Sequence, residues 1–179
     1  MTWWHLFASV GIVFSTIFAW YKVKMQPESQ PLPETPMDNP QADKVYDCAK
    51  LSLGEHLTLD PSVPDEVGCC EAVSFVLKQA GYDVGIKGIP GVNALITWLL
   101  ESGKFKEVSD PQPGCIITSH SLLNHIPVVA HAGVVLQHGI GSNNSWTGLF
   151  QENYTISSWE HYFLNVNNCD ERFFLPVIS

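Results

Sequence analysis

Residues of three types that together can build a nucleophilic site occur in a suitable order along the chain. Cys69 lies in the first turns of a predicted helix, where the helix dipole and the free backbone N–H groups favour a thiolate. His131 begins an apolar strand and can serve as the base for that thiol. Asn143 or Asn144, on the return arm of a predicted hairpin, can orient the imidazole through its second nitrogen. The chemistry expected of this set is attack of a thiolate on an acyl carbon.

A helix over residues 65–80 must position the thiol. Ser62 or Asp65 can cap it, and Gly81 ends it. Its apolar residues recur at i, i+3 and i+4, so they form one stripe that faces the rest of the domain. The members of this stripe are Cys69, Ala72, Val73, Val76, Leu77 and Ala80. The neighbouring Cys70 is the alternative nucleophile, but it lies at the edge of the stripe, which favours Cys69.

The remaining elements predict a domain in which helices precede strands. A second helix is predicted over residues 92–102 and a short one over 159–163. Strands are predicted over 115–118, 131–137, 140–145 and 173–178. This order is typical of an α+β domain. The register between the second and third strands depends on a loop of two or three residues, so the choice between the two asparagines stays open.

Four segments, VGCCEAVSFVL, PGCIITS, HAGVV and IGSNNS, resemble in order and spacing the CHAP and NlpC-type cysteine peptidases. The segment SNNSWTGLFQENYTISSW is similar to the corresponding part of small cell-wall hydrolases of tailed phages. The resemblance covers residues 60 to 178 and implies a papain-like fold. It implies Cys69 as the nucleophile, His131 as the base and Asn143 as the orienting group. One residue departs from the pattern, because Cys115 stands where these families usually have Asp.

The resemblance also implies an activity, the hydrolysis of an amide bond in peptidoglycan. The enzyme would be a stem-peptide endopeptidase or an N-acetylmuramoyl-L-alanine amidase, used in phage lysis or wall degradation, and it would need no cofactor. Glu71 beside the nucleophile and Trp146 after the asparagines are candidate substrate-binding residues. The simpler alternatives are a solvated first-turn Glu71 and a packing role for Trp146. Two other functions compete: a catalytically silent, membrane-bound structural or virion protein, and a cytoplasmic-facing cysteine protease or acyltransferase.

The N-terminal segment predicts a membrane partner. Residues 3–20 are almost uncharged, and as a helix they would span the ~30 Å hydrocarbon core, with aromatic residues at both ends. We therefore expect a transmembrane anchor or signal-anchor over residues 1–24. Lys22 and Lys24 favour a cytoplasmic domain by the positive-inside rule. A wall substrate instead requires the envelope side of the host inner membrane, and we expect that location.

A Pro-rich linker separates the anchor from the domain. Residues 25–43 contain five prolines and almost no large apolar side chains, so the predicted linker is extended. The predicted hydrolase domain therefore covers residues 44–179. We expect this flexible linker to let the anchored domain reach a substrate away from the bilayer.

Composition excludes other partners. The net charge is −9 and the chain has no basic cluster, so it lacks what nucleic-acid binding requires. The spacing of His120, His125, His131 and His138 matches no zinc motif, and we expect no metal. Five cysteines cannot all pair within one chain, although a Cys48–Cys169 bridge across the domain is possible.

Overall fold

A six-stranded antiparallel sheet organises the part of the chain that the computed structural model describes, which is residues 38–64, 67–123 and 126–178. In chain order the strands are β1 Phe105–Val108, β2 Ile116–Leu123, β3 Ile126–Val135, β4 Ile140–Asn143, β5 Phe150–Tyr154 and β6 Asp170–Pro176. Across the sheet they follow the order β1-β6-β2-β3-β4-β5. The helices are α1 Pro40–Leu51, α2 Cys69–Gln79, α3 Val92–Glu101 and α4 Ile156–Trp159, which a π-helix, Glu160–Val166, continues. The predicted α+β class is confirmed.

Alternate residues of each strand belong to two different cores, because strand side chains point to opposite faces of the sheet. Ile116 and Val134 pack with apolar residues of α2 and α3. Their neighbours Ile117 and Val135 pack with apolar residues of α4 and the π-helix. The sheet is therefore covered on both faces, and the α2 face carries the cysteine doublet.

Helix α2 begins later than the sequence predicts. Its N-cap is Gly68, which provides no side-chain hydrogen bond, and its first residue is Cys69. The predicted cap at Ser62 is wrong, because the Ser62 hydroxyl donates to the Asp60 carboxylate at 2.7 Å in a preceding turn. Asp65, the other predicted cap, lies outside the described residues. This later start places the thiol at the first position of the helix.

The predicted strands and short helix are present with different bounds. The strand expected over 115–118 extends to Leu123, and the one expected over 140–145 ends at Asn143. His131 lies in the middle of β3 rather than at a strand start, since β3 begins at Ile126. The short helix predicted over 159–163 begins at Ile156 and continues into the π-helix. The helix predicted over 92–102 ends one residue earlier, and the strand predicted over 173–178 begins three residues earlier.

Two strands and one helix have no counterpart in the sequence prediction. The strands β1 and β5 lie at the two edges of the sheet, and half or more of their residues are polar, as in FKEV and FQENY. Polar residues suit an edge strand, because half of its backbone faces solvent, but they hide it from a search for apolar runs. The helix α1 was hidden by the prolines around it.

Helix α1 begins inside the predicted linker. Asn39 caps it, because its Oδ1 accepts hydrogen bonds from the backbone N–H groups of Gln41 and Ala42, both at 3.2 Å. Pro40 suits the first helical position, where no backbone donor is needed. Ala42 is completely buried, and its carbonyl would lie 2.2 Å from a Cβ at Gly114. The folded domain therefore begins near Asn39 rather than Lys44.

The other N-terminal predictions lie outside the described residues. These are the anchor over 1–24 and the linker as far as residue 37. Within the described ranges, no helix is long and apolar enough to cross a membrane.

We expect a fragment that starts at residue 44 to be less stable than one that starts at residue 38. The shorter fragment loses the Asn39 cap, which is worth about 1 kcal/mol. It also loses the hydrogen bond that the Asn39 side-chain amide donates to the Pro176 carbonyl at 2.8 Å, together with buried Ala42. Urea unfolding of both fragments measures the difference, and Asn39→Ala in the longer one should reproduce about 1 kcal/mol of it. Identical unfolding midpoints would place the domain boundary at residue 44 after all.

All five cysteines are free thiols. The possible Cys48–Cys169 bridge is not formed, because Cys48 packs against the core on the α2 face whereas Cys169 belongs to the core on the α4 face. The sheet separates them.

Candidate active site

The Cys69 thiol meets His131 at one edge of β3. The sulfur is in hydrogen-bond contact with three groups: the Cys70 thiol, the His131 imidazole and the backbone N–H of Ala132. These contacts hold the pKa of the Cys69 thiol well below its usual value; the Cys70 hydrogen bond contributes most, and His131 adds a hydrogen bond and its charge. Burial acts in the opposite direction, since the side chain is only 8 % exposed. The balance favours a thiolate.

The pairing of the strands explains why this edge of β3 is accessible to the helix. Among the described residues, β4 pairs with β3 only at Val134 and Val135. Leu136 donates to the Gly139 carbonyl on the β4 side at 2.7 Å, and in an antiparallel strand every second N–H points the same way. The Ala132 N–H therefore points to the edge where β4 has already ended. Cys69 takes up the donor that the next strand would otherwise use.

Gly133, the glycine of HAGVV, allows the close approach of β4. A Cβ at this position would lie 2.6 Å from the Ile140 Cγ2 atom and 2.8 Å from the Gly141 carbonyl oxygen. Any larger residue would push the hairpin away from β3. The glycine thus fixes the place where the β3 edge opens towards α2.

The two cysteines of the doublet have opposite electrostatic environments. Their sulfurs lie 4.0 Å apart, and Cys70 is 2 % exposed. The pKa of the Cys70 thiol is raised strongly, first by its hydrogen bond to Cys69, then by burial and by the charge of its neighbour. Cys70 therefore keeps its proton and serves as the donor, while Cys69 loses its own. The contacts of the Cys69 sulfur with the His131 imidazole and the Ala132 N–H favour Cys69 as the nucleophile, and the contact between the two thiols gives Cys70 a role that the sequence did not indicate.

The two asparagines differ in what their side chains bind. The Asn144 side-chain amide donates to Gln151 at 3.1 Å and to Asn153 at 3.2 Å, and its oxygen accepts from the Trp146 N–H at 2.9 Å. Asn144 is thereby committed to the connection between β4 and β5. Asn143 is buried at the last position of β4. These hydrogen bonds favour Asn143 over Asn144 as the orienting residue, and its catalytic role stays a prediction.

Glu71 is not solvated, so that expectation is wrong. It is 7 % exposed, and its Oε1 accepts hydrogen bonds from the Thr58 hydroxyl and from the backbone N–H groups of Leu59 and Asp60. The loop 58–60 folds back over the first turn of α2 and buries the carboxylate. Its main role is to fix this loop against the helix.

Removing that carboxylate should therefore destabilise the domain. We expect Glu71→Ala to lower the free energy of unfolding by about 2–4 kcal/mol, because it removes a buried carboxylate that accepts three part-buried hydrogen bonds. The exposed Glu101, at the end of α3, offers a matched control. Urea unfolding should show a change within about 0.5 kcal/mol for Glu101→Ala. If Glu71→Ala changed the free energy of unfolding as little as Glu101→Ala does, the loop would hold its position without Glu71.

A cleft of about 470 Å³ lies next to the doublet, between the loop 60–64 and the loop 87–91. Cys70 and Glu71 contribute to its wall, and Cys69 lies one residue away. The Lys87 ammonium lies 2.8 Å from the Asp60 carboxylate at the same cleft. Each loop is fixed to α2 by a buried polar side chain, the first by Glu71 and the second by Ser74, which accepts a hydrogen bond from the Ile89 N–H at 3.0 Å. The volume is within the range of small-ligand sites.

Trp146 lies away from this cleft. It is 94 % exposed on the turn between β4 and β5, so the packing alternative is wrong. A contact with substrate stays a prediction. Trp159, in contrast, is completely buried in the core on the α4 face.

Two contributors to the site escaped the sequence analysis. The Ala132 N–H is a backbone group, and only the end of β4 pairing reveals that it is available. The second is Cys70, which the sequence presents as an alternative nucleophile and the structure places in contact with the Cys69 sulfur. The doublet itself was the signal, since neighbouring thiols at a helix start can share one proton.

Comparison with protein-family models, with curated proteins and with solved structures found no match to this chain. Within the described ranges, no group of three or more His, Cys, Asp or Glu residues could hold a metal ion.

Proposed function

We propose that this protein is a cysteine hydrolase with a papain-like fold that cleaves amide bonds in peptidoglycan. The observation that supports catalysis most directly is the contact between the Cys69 thiol and the His131 imidazole at the first turn of a helix. A buried structural cysteine normally keeps its proton, and burial alone would raise its pKa. The lowered pKa of Cys69 is what a nucleophile requires.

The reaction follows from the positions of these groups. The Cys69 thiolate attacks the amide carbon, and the carbonyl oxygen gains the negative charge, which the Cys69 backbone N–H stabilises. The C–N bond then breaks as the His131 imidazolium gives its proton to the leaving amine. Next, His131 takes a proton from water, and the hydroxide attacks the thioester. The acid product leaves, and the thiolate is restored.

The substrate part of the proposal rests on the resemblance of the four motifs to wall hydrolases. The expected partner is peptidoglycan, and the scissile bond is either a stem-peptide bond or the bond between N-acetylmuramic acid and L-alanine. The predicted anchor over residues 1–24 completes the proposal, because it would tether the enzyme on the envelope side of the inner membrane.

Digestion of purified peptidoglycan by the full chain in detergent tests this function. Mass analysis of the products distinguishes the two bonds: an amidase releases whole stem peptides from the glycan, whereas an endopeptidase releases peptide fragments. Cys69→Ala serves as the blank. Absence of any new fragment would exclude peptidoglycan as the substrate. If Cys69 also proved unreactive towards iodoacetamide, the catalytically silent structural protein would be the better description.

Topology separates this proposal from a cytoplasmic-facing protease or acyltransferase, which Lys22 and Lys24 would favour. Protease added to spheroplasts should digest the C-terminal domain. Protection that persists after the membrane potential is collapsed would place the domain in the cytoplasm.

A further inference from the structure

Three aromatic rings surround the His131 imidazole on the α4 face of the sheet. The Phe163 ring is nearly parallel to it, at 14° with 5.7 Å between centroids, and the Trp159 ring stacks at 30° and 5.4 Å. The Tyr154 ring meets it edge-on, at 69° and 5.9 Å. We call these three residues the aromatic cage. The imidazole thus contacts the cage on the α4 face of the sheet. At the edge of β3 it also contacts the sulfur of Cys69, which belongs to the core on the α2 face.

Hydrogen bonds and packing hold the cage in place. The Trp159 indole N–H donates to the Ser119 hydroxyl at 2.7 Å, and Ser119 lies directly opposite His131 in the β2–β3 register. The Trp159 and Phe163 rings lie 4.4 Å apart, and both are buried. Helix α4 is fixed by a capping box in which Thr155 and Ser158 exchange hydrogen bonds. The rings are therefore positioned independently of His131.

We propose that the aromatic cage is the positioning device for His131, fixing the plane of the imidazole and favouring its charged form opposite the Cys69 sulfur. The proposal rests on the proposed cysteine chemistry. A ring face attracts a cation through its quadrupole, and stacking on two rings limits rotation about the Cα–Cβ and Cβ–Cγ bonds. A neutral imidazole gains less from the same faces. The cage thus stabilises the imidazolium–thiolate pair over the neutral pair.

Acidic groups on the α4 face of the sheet can also influence the charge of His131, so their effect must be distinguished from that of the cage. Glu171 lies in the same cross-strand row, since Ser119 pairs with both Glu171 and His131. Burial and then the charge of Glu160 raise the pKa of Glu171 to about 7. The imidazole also interacts electrostatically with Cys69 itself. Glu171→Gln reports how much of any pH effect belongs to these carboxylates.

The test is the pH midpoint of Cys69 alkylation by iodoacetamide in the full chain, followed by mass spectrometry of the Cys69 peptide. We expect Phe163→Leu to raise the midpoint by about half to one pH unit, which is a roughly 3- to 10-fold smaller thiolate fraction at low pH. Phe163→Tyr, which keeps the ring, should retain the original midpoint. Phe105→Leu removes a buried ring on the opposite face and controls for general loss of packing. It should leave the midpoint unchanged.

Tyr154→Leu supplies a second variant, because Tyr154 is only half-buried and a fold defect is less expected there. An unchanged midpoint in a folded Phe163→Leu or Tyr154→Leu protein would overturn the proposal, as would an equal shift in Phe105→Leu. Alkylation needs no substrate, so this test is independent of peptidoglycan cleavage. If the midpoint depends on the cage but the protein leaves peptidoglycan intact, the proposal for the aromatic cage stands and peptidoglycan is not the substrate.

Discussion

Replacing Cys69 by Ala is expected to abolish the hydrolysis of peptidoglycan while the domain stays folded. Without the sulfur there is no acyl-enzyme, and loss of a nucleophile reduces turnover on the order of 10⁴-fold or more. The stability cost should be about 1 kcal/mol, because the side chain is small and lies at the surface of the core rather than at its centre. Fragment release measured by mass spectrometry reports the activity, and urea unfolding reports the fold.

Variants of Cys70 provide the matched comparison. Cys70→Ala removes the donor that contributes most to the lowered pKa of Cys69, so the pKa of Cys69 should rise and activity should shift to higher pH. Cys70→Ser keeps a donor and should shift the profile less. Both variants should still cut the substrate at alkaline pH. An inactive Cys70→Ala protein beside an active Cys69→Ala protein would reverse the assignment within the doublet.

The sequence predicts the elements whose residues obey a clear period. The stripe from Cys69 to Ala80 predicts α2 because its apolar residues follow the helical period, and the apolar segment after His131 predicts the C-terminal part of β3. The order of the motifs also predicts that Cys69 and His131 form one site, and the structure brings their side chains into contact. The predictions of α2 and β3 rest on local sequence patterns, and the prediction for Cys69 and His131 rests on the packing of a helix against the sheet.

The remaining features depend on contacts that are distant in sequence. Glu71 reads as a solvated first-turn residue until the loop 58–60 folds over it. His131 is predicted as the base for Cys69, and its ring lies among Trp159 of α4 and Phe163 of the π-helix. It meets Cys69 at the edge of β3 that β4 leaves unpaired. Such placements follow from strand register, and one residue of register moves every side chain to the other face.

Replacing His131 by Ala should move the pH midpoint of Cys69 alkylation upward. In the native protein the imidazole acts on Cys69 through a hydrogen bond and through its charge, and both lower the thiol pKa. The variant keeps the donors at Cys70 and Ala132, but burial still raises the pKa of the thiol. Because the Cys70 hydrogen bond, the largest cause of the lowered pKa, remains in the variant, the midpoint should rise towards the value of a free cysteine, ~8.5, without exceeding it. His138→Ala, at an exposed turn, is the control and should leave the midpoint where it was.

The His131→Ala variant should also lose hydrolysis, because it lacks the group that protonates the leaving amine in the proposed reaction. A base removed from a nucleophile–base pair costs about as much as the nucleophile itself, and the two losses are not additive. We therefore expect the Cys69→Ala, His131→Ala double variant to be no slower than Cys69→Ala alone. If the double variant lost a further large factor, His131 would act on the substrate without Cys69, and the two residues would not form one catalytic unit. An unchanged alkylation midpoint in His131→Ala would mean that the imidazole does not set the charge of the thiol. The two residues would then not form one catalytic unit.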